Sequence, residues 1–300
     1  MLTPGDRAPL FAVRGDTDYY LSAEAGHPIV VTFADELDQH LHDTAQKLGV
    51  VWVVADPRDP PDGVTVIVDD GQIANLYGIG NASVLLDENL RAVAVIPRGH
   101  PIPDPPAPDL PAPVLVVPRV LEPELCAELV AHYLREGGHD TGFMRDDAQG
   151  RTVAVHDHTH KRRQDLTLEG QLMDALKARV ERRLVPEIHR AFQFQVTRVE
   201  RWIIACYEAE TGGHFQVHRD NTTKATAHRR FAVTINLNDD FAGGELRFPE
   251  YGRRTYRAGP GDALVFSCSL LHEVTPVERG NRYCTLPFLY DEAAEALRSR

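Results

Sequence analysis

The sequence predicts an α+β chain of two domains, a small α/β layer domain followed by an antiparallel sandwich or jelly roll with flanking helices. Three observations predict it. Apolar strand runs alternate with helical spacing over roughly the first hundred residues; a proline-rich stretch follows; and from Arg198 onward many short apolar runs are divided by Gly, Pro and Asn/Asp.

In the first part, residues 28–34, 50–55 and 64–69 are buried-strand runs, and residues 35–48 carry helical spacing. Residues 83–86 and 91–96 flank Asp87-Glu88-Asn89, a hairpin turn signal. Strand, helix, strand and a closing hairpin imply a layered sheet with some parallel pairing. Residues 100–113 contain prolines at short intervals. Proline fixes φ and removes a backbone donor, so this stretch is expected to be a semi-rigid linker between domains at 1–99 and 114–300. The second part opens with a strand at 114–117 and helices at 122–136 and 169–190, the latter kinked or broken near Pro186. Strands are then expected at 201–207, 214–218, 230–237, 245–248, 255–257, 263–268, 272–277 and 283–289.

Composition narrows the function. The chain has 300 residues, 43% hydrophobic and 25% charged, the balance of an ordinary globular protein. A formal net charge of -12 argues against a general binder of nucleic acid or anionic membranes. Lys161-Arg162-Arg163 and Arg182-Arg183 are local exceptions, read as solvated faces of a helix or loop. No apolar run is long enough to span a bilayer. Residues 1–6 carry no basic segment followed by an apolar one, so a cytoplasmic protein is expected. The four cysteines, Cys126, Cys206, Cys268 and Cys284, form no C-x-x-C pair and read as reduced, mostly buried thiols.

The chemistry centres on His218-Arg219-Asp220. Residues i and i+2 of a strand share a face, so His218 and Asp220 point together and Arg219 away. His272, a short turn after the run 263–268, is placed to supply a third ligand. Two imidazoles and a carboxylate on one face of a metal leave the other positions open, as in non-haem Fe(II) oxygenases. An H-x-D alone occurs by chance in many proteins. Arg282 adds weight, because it shares an alternating face with Cys284, Leu286 and Phe288. A guanidinium on an apolar face needs an anion, either a bound dicarboxylate or an internal Asp or Glu.

Ala205-Cys206-Tyr207, His218-Arg219-Asp220-Asn221, Leu237-Asn238-Asp239-Asp240, Gly243-Gly244-Glu245-Leu246, His272-Glu273-Val274-Thr275-Pro276-Val277 and Asn281-Arg282-Tyr283 together resemble the prolyl 4-hydroxylase-like branch of the 2-oxoglutarate/Fe(II) dioxygenases. The resemblance covers roughly residues 114–291. It implies a double-stranded β-helix, iron on His218, Asp220 and His272, and the distal carboxylate of 2-oxoglutarate on Arg282. It also places Tyr207, Thr234 and Asn236 in the cosubstrate pocket, although several relatives carry tyrosine where Asn236 stands. Dioxygen is the second cosubstrate and ascorbate a supporting reductant. The carboxylate of Asp220 favours hydroxylation over halogenation. The expected reaction is hydroxylation of an unactivated C–H bond on a peptidyl or free amino acid. A small biosynthetic metabolite, or a non-catalytic oxygen- or 2-oxoglutarate-sensing or interaction module, stays open.

His156, His158 and His160 stand at alternate positions and admit three readings: a polar loop bordering the site, a closing lid, or a second metal site. His214 and His228 read as mouth or surface residues, and residues 221–229 as a flexible lid. At the other end, Pro4-Gly5-Asp6-Arg7-Ala8-Pro9-Leu10-Phe11, Tyr77-Gly78-Ile79 and Val84-Leu85-Leu86-Asp87 resemble a peroxiredoxin or thioredoxin-like domain over about residues 1–99. No cysteine precedes Cys126, so thiol peroxidase chemistry is excluded there. The resemblance then implies a degenerate redoxin fold serving packing, homodimerisation or recognition of a partner.

Overall fold

The computed structural model describes residues 1–13, 19–56, 59–106, 110–146 and 151–298. Residues 107–109 of the expected linker lie outside them. The chain divides into two compact units, Met1–Leu110 with Pro249–Arg253, and Pro111–Phe248 with Arg254–Arg300.

The first unit is built on a five-stranded sheet in the order Val64–Val68, Gly49–Val54, Ile29–Thr32, Ala82–Leu86, Ala92–Pro97. The first three strands are parallel and the last two antiparallel. The central strand is buried at every position, which is why its sequence is a continuous apolar run rather than an alternating one. The helix Gln39–Ala45 is shorter than the spacing at 35–48 suggests. Asp38 accepts from Leu41 N and sets its start. A second helix, Gln72–Tyr77, escapes the sequence reading because it is too short for its periodicity to show. Gly71 and Gly78, both at positive φ, bracket it, and the Asp69 carboxylate accepts from Ile73 N and Ala74 N.

In the second unit the helix Pro123–Glu136 buries Leu125, Cys126, Leu129 and Tyr133. The long helical stretch is Gly170–Arg179, a π-helical turn Val180–Leu184, then Val185–Phe192. The irregularity falls just before Pro186, whose ring and missing N–H disrupt a regular turn there. Leu176, Val180, Leu184 and Ile188 nevertheless keep one buried stripe.

Two antiparallel sheets form the body of this unit. The smaller pairs Lys161–Arg162, His214–His218, His272–Val274, Leu246–Arg247 and Thr255–Tyr256 in that order. The larger carries Gln164–Thr167, Ile203–Glu208, Asn281–Thr285 and Phe231–Asn236 side by side, with Ala263–Ser267 and Phe288–Tyr290 also on Phe231–Asn236. This all-antiparallel, two-sheet arrangement is that of a jelly roll. Two expected strands are broken. The run 272–277 divides at Pro276, with Val277–Arg279 pairing elsewhere, and 283–289 divides at Pro287. Strands between His139 and Glu200 were not anticipated, being two to four residues long.

Candidate metal centre

His218 ends one strand of the smaller sheet and His272 begins its neighbour, directly opposite in register. Asp220 lies two residues beyond, its backbone N–H donating to Cys268 O at 3.0 Å. One ligand atom from each of the three side chains falls within 4.8 Å of the others. His218 Nε2 lies 3.6 Å from Asp220 Oδ1, and His272 Nε2 lies 3.4 Å from Asp220 Oδ2. The far ring nitrogens face backbone carbonyls: His218 Nδ1 is 2.7 Å from Gln216 O, and His272 Nδ1 is 3.0 Å from Leu270 O. A proton on Nδ1 donated to each carbonyl leaves both Nε2 lone pairs turned to one point. Phe215 stacks on His218 at 3.5 Å between centroids, and Phe266 meets His272 at 4.7 Å. Burial, reinforced by the charge of His218, pulls His272 down to about 4. Burial opposes ionisation of Asp220, but His272 and His218 outweigh it and hold the carboxyl well below its ordinary range. A neutral His272 imidazole and an ionised Asp220 carboxylate are the protonation states a divalent metal requires of these ligands.

The larger sheet supplies the opposite wall. Arg282 is 2% exposed. Its Nε donates to Asn236 Oδ1 at 3.0 Å and its Nη2 to Thr234 Oγ1 at 2.8 Å. Its Nη1 is buried with no hydrogen-bond partner. The internal ion pair with Asp or Glu, the alternative left open by the sequence, is not seen among the described residues. A buried guanidinium with an unused donor fits an absent carboxylate. Asn236 also donates to Ala258 O, which fixes its amide and so orients Arg282. Tyr207 is buried, its ring 5.4 Å from the Arg282 guanidinium, and its hydroxyl accepts from Arg163 Nη1 at 3.3 Å. Tyr207, Thr234 and Arg282 line an inner cavity of ≈ 50 Å³ that also touches the three candidate ligands. A larger cavity of ≈ 410 Å³ shares His218, Asp220, Arg163, Arg201 and Phe215 with it.

Several sequence expectations need correction. Lys161 and Arg163 are not on a solvated face; they are 3% and 5% exposed, and only Arg162 points out. Strand alternation explains this, since Lys161–Arg162 pairs with Phe215 and His214. Lys161 Nζ donates to Thr141 O, Thr141 Oγ1 and Gly142 O. Arg163 grips Asp165 through Nε at 2.7 Å and Nη2 at 2.8 Å. The signal was present: charged residues 161, 163 and 165 alternate as one strand face would require. His228 is 1% exposed, 3.0 Å from Glu200 Oε2, and so is not at the surface. Residues 221–229 are tied turns rather than a loose lid, with Thr223 and Thr226 buried and hydrogen-bonded to each other. His214 is half-buried, between Gly212 O and Thr159 O. In the histidine cluster, His156 and His158 both reach Asp140, while His160 lines the larger cavity against Phe143. Among the described residues only His218, Asp220 and His272 converge as metal ligands. All four cysteines are free and buried.

Residues 202–290 match the model of the 2OG-Fe(II) oxygenase superfamily. The matched span contains His218, Asp220, His272 and Arg282. Among curated proteins it is similar to a PKHD-type hydroxylase of Synechococcus sp. (26% identity over 122 residues, 37% of this chain and 54% of that protein). It is also similar to one of Rhizorhabdus wittichii (35% over 83 residues, 25% of this chain and 37% of that protein). The chain thus spans about half, or less, of the length of the curated relatives it matches. Among solved structures, a Pseudomonas putida prolyl-4-hydroxylase aligns with 60% of this chain and 92% of its own at 19% identity and a TM-score of 0.47. A Trichoplax adhaerens prolyl hydroxylase, solved with a peptide fragment of hypoxia inducible factor, covers 62% and 87% at 20% identity and a TM-score of 0.46. Among the described residues no helix is long and apolar enough to cross a membrane.

Proposed function

We propose that this protein is a 2-oxoglutarate-dependent hydroxylase in which His218, Asp220 and His272 hold Fe(II) and Arg282 holds the distal carboxylate of 2-oxoglutarate. The observation that carries this reading is the pairing of a His-Asp-His cluster with a buried, partly unsatisfied guanidinium across one cavity. When bound, Fe(II) with 2-oxoglutarate and dioxygen supplies the oxidation that replaces C–H by C–OH, while 2-oxoglutarate becomes succinate and carbon dioxide. The chain's own task is positioning. Gln216 O and Leu270 O hold the imidazoles in the ligating tautomer. Asn236 and Thr234 aim Arg282. Phe215 and Phe266 give the ligands apolar neighbours, which limits water at the reacting centre.

The substrate class is a peptidyl or free amino acid, prolyl-hydroxylase-like, a reading supported by the names of the relatives. The first unit serves as a redoxin-like domain without thiol chemistry, for packing, homodimerisation or partner recognition; its three parallel strands followed by a hairpin, and its lack of cysteine, support this. The test is incubation with Fe(II), 2-oxoglutarate, ascorbate and candidate peptides and amino acids, followed by mass spectrometry. A gain of one oxygen, matched by succinate, is expected. No succinate on any substrate would refute the assignment.

A further inference from the structure

The larger cavity carries more positive charge than iron and 2-oxoglutarate chemistry requires. Its lining includes His218 and Asp220 together with Arg163, Arg201, Arg219 and Arg229. This stands on a chain whose formal net charge is -12. The cations are unequally compensated. Arg163 takes both oxygens of Asp165, which is 3% exposed. Arg229 donates from Nε to Glu200 Oε1 at 2.7 Å. Arg201 shares the carboxylate that Arg163 already holds, through Nη2 to Asp165 Oδ2 at 2.9 Å. Two guanidiniums thus share one carboxylate, and the other carboxylate acting on Arg201, that of Asp220, is a candidate metal ligand. Lys161, which lines the same cavity, donates to neutral oxygens only.

A second observation singles out Arg201. It joins the strands Arg198–Glu200 and Ile203–Glu208 at φ 70, in the left-handed region that non-glycine residues seldom occupy. Such a conformation persists where the surroundings demand it, and it clusters at ligand-binding positions. Here it belongs to a residue that lines both the inner and the larger cavity. A partly buried guanidinium, short of a counter-charge and held in an uncommon backbone state, is the arrangement that receives an anion bidentately.

The geometry points to a substrate that brings its own carboxylate: a free, amino-acid-sized molecule whose carboxylate docks on Arg201 while its carbon chain extends toward His218 and Asp220. The inference rests on the hydroxylase reading and narrows its substrate class. An internal residue of a polypeptide has no α-carboxylate to offer Arg201, which would then keep only its share of Asp165. The cavity, ≈ 410 Å³, sits near the lower end of the range typical of small-molecule sites.

The test is direct binding, so that it does not depend on turnover. The full chain is loaded with redox-inert Zn(II), saturated with 2-oxoglutarate, and probed by ligand-observed NMR. The probes are the proteinogenic L-amino acids, their primary amides, and peptides capped at both ends. One or more free acids are expected to bind, with the matching amide weaker by roughly tenfold or more, because a charge-assisted pair is lost. Arg201→Gln should weaken the acid by roughly tenfold to a hundredfold and bring the acid-to-amide ratio near unity, with Arg201→Lys in between. Should Arg201→Gln not fold, the wild-type acid-to-amide ratio decides alone. Capped peptides binding as tightly as free acids, no preference for acids over amides, or a ratio unchanged in Arg201→Gln would overturn the inference. Succinate formation by the Fe(II)-loaded chain is measured in parallel. Its absence would count against the hydroxylase reading, while the zinc-loaded protein still reports on carboxylate binding.

Discussion

The two walls of the cavity are unsatisfied in opposite senses. On the smaller sheet, the Asp220 carboxylate and the imidazoles of His218 and His272 converge on one point. On the larger sheet and the strands leading to it, Arg282 has a buried donor without an acceptor, and Arg163 and Arg201 divide one carboxylate. One wall lacks a cation and the other lacks anions. Each arrangement carries a cost, because buried polar groups short of partners are unfavourable. Their juxtaposition therefore reads as a site built for a metal and carboxylates together.

Each wall can be broken separately. The largest effect is expected from the metal wall. Asp220→Ala should abolish metal retention and lower succinate formation by at least about a thousandfold, measured by metal analysis and turnover; retained metal would show that other ligands hold it. On the cationic wall, Arg282→Ala should raise the half-saturating 2-oxoglutarate concentration roughly a hundredfold, with Arg282→Lys in between. A merely structural arginine would lower stability and leave that concentration alone. Asp165→Asn removes the shared anion of Arg163 and Arg201, and should cost about 3–5 kcal/mol in a denaturant titration.

A pH series sharpens the contrast. In the metal-free chain, unfolded His272 takes up its proton near the ordinary 6.5, whereas the folded residue resists to about 4. Between those values the unfolded chain binds more protons, so acidification favours unfolding. The His272 contribution is fully present above 6.5 and is lost as pH falls through about 4, and the depressed Asp220 adds a loss of the same sign at lower pH. Melting temperatures recorded with and without metal check this, and a metal-free series flat between 6.5 and 4 would disagree. The smallest effect concerns the thiols. Burial pushes Cys126 up to about 11 and Cys206 up to about 12, so native protein at mildly alkaline pH should resist thiol reagents and react fully only once unfolded.

The walls also differ in how far the sequence revealed them. His218, Asp220, His272 and Arg282 sit on or beside strands of the two main sheets, and the i, i+2 spacing of His218 and Asp220 let their shared facing be read from period two. Arg163, Asp165 and Arg201 belong to strands of two to four residues, or to the junction between them. Too few apolar positions precede or follow them to set a period, and a run of basic residues then looks like surface. The burial of His228 depends on Glu200, 28 positions away in the chain, a pairing no local pattern discloses. Proline was informative throughout: Pro186 marked the irregular turn of the long helix, while Pro276 and Pro287 divided runs that had looked continuous.

The central claim is that one cavity binds a ferrous ion on His218, Asp220 and His272 and a dicarboxylate on Arg282. Anaerobic titration of the metal-free chain with Fe(II), then with 2-oxoglutarate, tests it most directly. The account predicts stoichiometric uptake of iron, followed by a weak visible charge-transfer band that appears only with 2-oxoglutarate and is lost in Asp220→Ala. Iron bound equally well by Asp220→Ala, or no band at any 2-oxoglutarate concentration, would contradict it.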